Sequence, residues 1–290
     1  MHVAIIGNPI AGTGGAVDGI RRLEARLSEL GCRVTTRWTG EPGDTTAPAR
    51  NLEGAADCLI VAGGDGTIHQ ILNSLRDPGR TPLAILPVGT ANILARDLGL
   101  PRQIEEAARM VLAGKVRKID MGTIAPGRRF MMVASCGFDA MVIRALHARR
   151  RGTLGARRYP LAILETLMNY TVPTLRVSVD GKPPVVGAMV VVANTPTYAG
   201  IMSVADRARL DSAHLDVVVI RFGSITALTR YAWMSWRKRL SKLPDVAYLT
   251  GTSVRVESDM PVDVEVDGEC SGHTPVEIGL KPAAVPLVVP

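Results

Sequence analysis

The chain has 290 residues, 47% of them hydrophobic and 21% charged, with 29 Gly and 19 Pro. At roughly 100–200 residues per domain this is one large domain or two modest ones; it is too apolar for a disordered chain and too rich in Gly and Pro for a coiled coil. The net charge of +7 favours anionic partners, whether nucleotide, phospholipid surface or nucleic acid, without choosing among them.

In chain order, His2–Gly7 reads as a short apolar strand and Asn8–Gly15 as a glycine loop. Met1–Ile10 lacks a basic leading segment, so it is expected to be a strand and not a signal peptide. Ala16–Leu30 has helical spacing, with Ile20, Leu23, Leu27 and Leu30 on one face and Gly31 as a stop. Arg33–Trp38 is a strand, Thr45–Ala56 a helix, Asp57–Ala62 a strand, Ile68–Leu75 a helix and Leu83–Leu86 a strand, with a further helix after Thr90. Strand, glycine turn and helix in repetition imply a mostly parallel sheet covered by helices. After Asp120 the texture changes. Phe130–Ser135, Thr174–Val179, Val185–Ala193, Leu215–Ile220, Ser253–Ser258 and Val262–Val266 read as strands, with helical stretches at Ala140–Arg150 and Leu161–Met168. The expectation is an α/β domain over residues 1–120, a mostly antiparallel β domain over 121–273, and a return of 274–290, including strand-like Val276–Leu280, to the first domain. No run approaches ~18 uninterrupted apolar residues, so no transmembrane helix is expected. Cys32, Cys58, Cys136 and Cys270 are far apart, without zinc spacing, and are expected as buried thiols in a reducing cytoplasm.

Three strand-to-helix turns carry the chemical signal. Gly7-Asn8-Pro9-Ile10-Ala11-Gly12-Thr13 resembles a Walker A loop but has Thr13 where the lysine would stand. Its backbone amides still suit an anion, as they would suit a plain tight turn. Gly63-Gly64-Asp65-Gly66-Thr67 sets glycines around one carboxylate, which suits a polyphosphate only with a divalent metal between them. Asp65 reads equally as a cap of the helix that follows. Pro87-Val88-Gly89-Thr90-Ala91-Asn92 puts Thr90 and Asn92 at a third such junction. Ligands of such sheets bind outside the carboxyl ends of the strands, where all three turns lie.

With Leu94-Ala95-Arg96 and a late Asp267-Gly268-Glu269, these segments resemble the diacylglycerol kinase catalytic domain, shared with sphingosine and ceramide kinases and soluble bacterial lipid kinases. Gly-Gly-Asp-Gly-Thr alone is shared with NAD kinases; the order and spacing of all the segments cover nearly the whole chain. The resemblance implies a three-layer ATP-binding α/β domain, a sandwich-like β domain supplying the lipid pocket, and an active site in the cleft between them. It implies nucleotide contacts at Asn8, Pro9, Gly12, Thr39, Gly63, Gly64, Asp65, Gly66, Thr67, Gly89, Thr90 and Asn92, extending through Gln70. It implies Mg²⁺ organised by Asp65 and supported by Asp120, and catalysis by Glu269, Asp267 and Asp65. Glu269 is assigned as general base and Asp267 as its partner or a metal contact, two roles that can be exchanged. Taken without the resemblance, Asp267-Gly268 is a hairpin turn and Asp120 a loop residue between domains.

Two departures stand out. Ile93 occupies a place where relatives often carry Asp, with Asp97 one helical turn on. Asp211-Ser212-Ala213-His214-Leu215-Asp216-Val217 has Ser212 where relatives have an acidic ligand of a structural Mg²⁺ site, so no metal is assigned there. Two basic-aromatic segments are candidates for docking on anionic membrane: Arg149, Arg150, Arg151, Arg157 and Arg158 with Tyr159, and Tyr231 to Trp236 followed by Arg237-Lys238-Arg239. No nucleic-acid module accompanies them, and a core role for the Trp residues is the alternative. The reading is an ATP- and Mg²⁺-dependent lipid kinase, cytoplasmic and peripherally membrane-bound, with a homodimer allowed by the resemblance. The alternatives are a kinase of a soluble substrate such as NAD, and a nucleotide- or lipid-binding protein without catalysis.

Overall fold

The structure is a computed structural model that describes residues 1–12, 14–40, 46–148, 159–198, 200 and 202–290. Thr13, Thr45 and the arginines at 149, 150, 151, 157 and 158 of the first basic segment lie outside the described residues. The chain divides into two compact units, Met1–Asp120 with Ala283–Pro290, and Met121–Pro282.

The first unit alternates β1 (His2–Gly7), α1 (Ala16–Glu29), β2 (Arg33–Trp38), α2 (Thr46–Leu52), β3 (Cys58–Gly63), α3 (Asp65–Ser74), β4 (Leu83–Pro87), α4 (Ile93–Asp97) and α5 (Ile104–Ala113). The strands run parallel in the order β2-β1-β3-β4. β1 and β3 are buried almost throughout, as strands covered on both faces must be. Passing from β1 to β2 moves one way across the sheet, and from β2 through β3 to β4 the other way. Right-handed crossovers then place α1 on one face and α2 and α3 on the other. The reversal lies between β1 and β3, and ligands of such sheets bind beside that point at the strands' carboxyl ends.

The first unit departs from the expected element bounds at three places. α3 begins at Asp65 rather than Ile68, because extended Gly64 (φ −96°) is the cap and Asp65 opens the first turn, where an acidic side chain meets the helix dipole. α2 stops at Leu52, ahead of Gly54 with φ 72°. α5 was not foreseen, although Glu105 and Glu106 in its first turn and Gly114 at its end are ordinary start and stop signals.

The second unit is a sandwich. It contains the end of β5 (Val116–Ile124), then β6 (Arg128–Phe130), β7 (Val133–Cys136), α6 (Phe138–Ala148), α7 (Tyr159–Met168), β8 (Leu175–Val179), β9 (Val185–Gly187), β10 (Met189–Ala193), β11 (Thr197–Tyr198), β12 (Met202–Ser203), β13 (Leu215–Ile220), α8 (Ile225–Trp236), β14 (Val246–Gly251), β15 (Ser253–Ser258), β16 (Asp263–Val266), β17 (Glu269–His273) and most of β18 (Val276–Val288). One antiparallel sheet runs β14-β13-β10-β7-β16-β17. The other sets β18, β15, β8 and β9 side by side, also antiparallel. Val177, Val254 and Ile278 of this second sheet meet Val190, Val192, Val217, Val219 and Val264 of the first around fully buried Phe130. The valine-rich, aromatic-poor composition thus becomes a β-branched core.

Expected single strands are split here. Phe130–Ser135 breaks at Met131-Met132, whose amides turn toward Asp267. Val185–Ala193 crosses from one sheet to the other past Gly187, where a Cβ would lie 2.6 Å from Val219. Asp120 lies inside β5 and not in a loop. The expectation of four buried thiols is corrected at Cys270, which is exposed because β17 is an edge strand; Cys32, Cys58 and Cys136 are buried.

Candidate functional site

In the first unit the three glycine turns close on one another. Asn8 Nδ2 donates to Thr67 Oγ1 at 3.0 Å, joining the first turn to the second. Gly12, at φ 68°, lies against the third turn so closely that a Cβ would fall 2.3 Å from the Val88 carbonyl oxygen. A Cβ on Gly89 would fall 2.3 Å from Gly64 Cα, so the second and third turns meet backbone to backbone. Thr39 is buried beside the first turn, its amide donating to the Gly7 carbonyl at 2.8 Å. Asn92, at φ 47°, folds its side chain back: Oδ1 accepts from the Gly89 amide at 3.0 Å and Nδ2 donates to the Gly89 carbonyl at 2.8 Å.

Asn92 therefore leaves its own helix, α4, without a side-chain cap. Asp65 supplies one from the second turn: Oδ2 accepts from the Ile93 amide at 3.0 Å and Oδ1 from the Leu94 amide at 3.1 Å. A helix start needs such acceptors. Ile93, where relatives often have Asp, thus takes part through its backbone. Pro9, Gly63, Gly66 and Thr90 lie in the same three turns, with Gly66 and Thr90 exposed at the tips. Neither α1 nor α3 is capped by a side chain of the described residues, so both N-termini keep donors suited to phosphate.

Asp120 is buried, and its Oδ1 accepts from the Ala283 amide at 2.8 Å. Among the described residues no group of three or more His, Cys, Asp or Glu side chains could cage a metal. The donor chemistry fits a magnesium ion carried by a nucleotide, which keeps waters and phosphate oxygens and needs only one or two carboxylates.

In the second unit the Asp-Gly-Glu segment is a structural knot. Asp267, at φ 49° and buried, accepts from the amides of Met131, Met132 and Val133 at 2.9, 3.0 and 3.0 Å. These bonds break the expected strand at Met131-Met132, because amides turned toward Asp267 cannot join a ladder. Glu269 is partly exposed, with His147 Nδ1 at 3.6 Å from its Oε2. His147 Nε2 lies 3.0 Å from the Gly268 carbonyl oxygen, an acceptor only, so this nitrogen carries the proton. Nδ1 then holds a proton toward Glu269 only in the imidazolium form.

A buried acid chain not foreseen from sequence lies next to this turn. The Gly268 amide donates to Glu265 Oε2 at 2.8 Å, and Ser135 Oγ lies 3.1 Å from Glu265 Oε1 and 2.7 Å from Asp139 Oδ2. Tyr198 also donates to Asp139 Oδ2. Ser135 has one proton for two carboxyls, so one carboxyl carries its own. Burial and the Asp139 charge push Glu265 well above the usual carboxylate range, and burial also raises Asp139. Asp139 Oδ2 is the acceptor of two hydroxyls, those of Ser135 and Tyr198. The signal in the sequence is alternation: Glu265 falls between Val264 and Val266, which both face the core, so its side chain leaves the strand on the other side.

Asp139 also lines an apolar pocket of about 250 Å³ with Phe138, Val142 and Ile143 of α6, Ile163 and Leu167 of α7, and Leu228 of α8. The outer sides of α7 and α8 are apolar as well. Leu164 and Met168 are 56% and 78% exposed, and Trp233 and Trp236 are 55% and 56% exposed with ring centroids 5.2 Å apart. Arg237 lies over Trp233 at 5.8 Å. The tryptophans are surface residues and not core.

Residues 2–124 match the family model described as the diacylglycerol kinase catalytic domain, and residues 132–289 that described as the YegS C-terminal NAD kinase beta sandwich-like domain. The chain is 31% identical over 300 residues to a diacylglycerol kinase of Mycobacterium tuberculosis, covering 99% of this chain and 95% of that one. It is 28% identical over 274 residues to a diacylglycerol kinase of Staphylococcus saprophyticus, covering 93% and 90%. A solved structure from Bacillus anthracis, of a protein assigned as a diacylglycerol kinase, superposes with a TM-score of 0.81 at 26% identity over 100% of this chain and 95% of that one. These matches bear out the expected fold class, an α/β N-terminal domain with a parallel sheet and a β-sandwich-like C-terminal domain.

Asp65→Ala leaves the Ile93 and Leu94 amides without their acceptor and is expected to cost about 1–3 kcal/mol, read as a lower urea midpoint. Glu265 gives a pH signature. Its folded-state affinity for a proton is raised, so the native state binds more protons than the unfolded state above the ordinary carboxylate range. Stability should therefore fall as pH rises from about 4.3 through the raised value, and Glu265→Gln should flatten that fall in urea titrations.

Proposed function

The chain belongs to the diacylglycerol kinase family of lipid kinases, and from that premise we propose that it transfers the γ-phosphoryl group of ATP to a hydroxyl of a lipid such as diacylglycerol or a sphingoid base. The observation that carries the lipid half of this reading is the pocket between α6, α7 and α8, most of whose wall is Val, Ile, Leu, Met and Phe side chains. A polar soluble substrate such as a dinucleotide would find almost nothing there to hydrogen-bond, whereas an alkyl chain gains about 0.8 kcal/mol for each buried methylene. The joined glycine turns support the nucleotide half, with uncapped helix N-termini for the phosphates.

In this reading ATP enters as its magnesium complex. The ion neutralises phosphate charge, and Asp65 and Asp120 are the carboxylates proposed for its water shell. Both oxygens of Asp65 and Oδ1 of Asp120 accept backbone amides, which fixes the direction of the two carboxylates. The lipid hydroxyl oxygen forms a bond to the γ-phosphorus, and the bond from that phosphorus to the β–γ bridging oxygen breaks, releasing ADP. Glu269 takes the hydroxyl proton. The surroundings favour Glu269 over Asp267 for this role: Asp267 is buried and accepts three amides, whereas Glu269 is partly exposed beside His147. Catalysis of this kind rests on positioning and charge neutralisation.

Peripheral membrane contact belongs to the same proposal. α7 and α8 line the pocket with one side and show Leu164, Met168, Trp233 and Trp236 to solvent with the other. Tryptophan at the headgroup level with Arg237 alongside suits an anionic bilayer, from which a chain would enter between the two helices.

The test is transfer of radiolabelled γ-phosphate from ATP to a lipid extract with Mg²⁺, followed by chromatography. A labelled lipid is expected; label on a soluble product alone would overturn the reading. Glu269→Gln is expected to lower kcat by about 10²–10⁴ with little change in KM for ATP. The double variant Trp233→Ala, Trp236→Ala is expected to lose co-sedimentation with phosphatidylglycerol vesicles while keeping turnover of a monomeric short-chain lipid.

A further inference from the structure

The polar atoms of the apolar pocket are nearly all accounted for. Ser235 Oγ donates to the Ser203 carbonyl at 3.0 Å, Thr229 Oγ1 to the Thr226 carbonyl at 3.0 Å, and Tyr231 OH to Asp245 at 2.5 Å. Tyr198 OH donates to Asp139 Oδ2, which Ser135 Oγ also approaches at 2.7 Å. The exception is Asp139 Oδ1. It belongs to a side chain only 8% exposed, and it has no hydrogen-bond partner among the described residues. A buried acceptor left unmade costs about 1–3 kcal/mol, more when charged, and a ligand that supplies a donor there recovers that loss on binding.

The position of this oxygen gives it meaning. Asp139 stands where the pocket adjoins the acid chain, and that chain runs through Ser135 and Glu265 to the Gly268 amide, one residue from Glu269. A lipid with its alkyl chain among Val142, Ile163, Leu167 and Leu228 would bring its polar end to Asp139. The hydroxyl to be phosphorylated is required at Glu269, so Asp139 is left for a second donor. The cavity, at about 250 Å³, falls below the usual range of small-molecule sites and suits one chain.

We propose that Asp139 is a positioning and specificity residue whose free oxygen accepts a hydrogen bond from a second O–H or N–H of a single-chain lipid, so that lipids with two polar donors are preferred over those whose one hydroxyl is the reacting one. This inference rests on the lipid-kinase reading for its catalytic consequence, while its binding consequence is measured without ATP.

The matched probes are glycerol esterified at one end with octanoate, which keeps two free hydroxyls, and the mono-octanoyl ester of propane-1,3-diol, which is smaller and keeps one. Calorimetric binding to the full chain without ATP is expected to favour the glycerol ester by roughly 10-fold or more, the size of a hydrogen bond to a charged acceptor. Asp139→Ala should bring the ratio to within about twofold, and in turnover it should weaken the apparent affinity for the glycerol ester more than that for the propanediol ester. Tyr198→Phe, which leaves Oδ1 in place, should keep the preference. Equal affinity of the wild-type chain for the two probes would overturn the proposal without any variant, and so would a preference that survives Asp139→Ala. If the probes are discriminated but neither is phosphorylated with Mg²⁺ and ATP, the lipid-kinase reading fails and the donor-reading role of Asp139 stands.

Discussion

Gly64 and Gly89 meet with no side chain between them, and the three glycine turns of the first unit depend on that contact. Any Cβ on Gly89 would force the second and third turns apart. Once they touch, Asp65 reaches the amides of Ile93 and Leu94, and Asn92 is released from capping its helix to brace its own turn. Asn8 and Gly12 add the first turn to the same assembly. Three separate loops thereby become one preorganised surface of backbone donors at the reversal point of the sheet. Ordering such loops at the moment of binding would subtract from affinity, and the contacts among Asn8, Gly12, Gly64, Thr67 and Gly89 reduce what is left to order.

Much of the first unit was legible because its signals are local. The apolar run of β3, the helical spacing of Ile20, Leu23 and Leu27, and the glycines after each strand speak within a few residues. The second unit was less legible because its decisive contacts are distant in sequence. The strand through Phe130 breaks on account of Asp267, more than a hundred residues later, and nothing near Met131 announces it. Among candidate site residues, Asp65 illustrates the same limit. Both a metal role and a cap were readable at its position, but the sequence pointed to a cap of the helix it begins. The structure shows it capping the next one, α4. Asp139 lies just ahead of the stretch Ala140–Arg150 that reads as helical, and a lone Asp there carries no sign of a buried site. Only the tertiary fold turns it inward.

The two carboxylates of the Asp-Gly-Glu segment differ by environment more than by chemistry. Asp267 is an architectural group that holds three amides and defines where β7 starts. Glu269 follows on the partly exposed edge strand with an imidazole beside it. Between the turn and the pocket, Glu265 and Asp139 share a serine and too few protons, an arrangement kept only where burial makes ionising both carboxyls costly. Rigid support of this kind is what positioning a reacting hydroxyl demands.

The long last strand has a consequence for how the protein is made. Val276 and Ile278 of β18 complete the sandwich core, while Val285 and Leu287 of the same strand are fully buried in the first unit, where Leu287 pairs with Leu83 beside β4. A nascent chain emerging N-terminus first therefore holds the parallel sheet with its β4 edge open until residue 288 has been synthesised. Neither unit closes before its share of β18 has emerged, and until then the β4 edge of the parallel sheet stands unpaired.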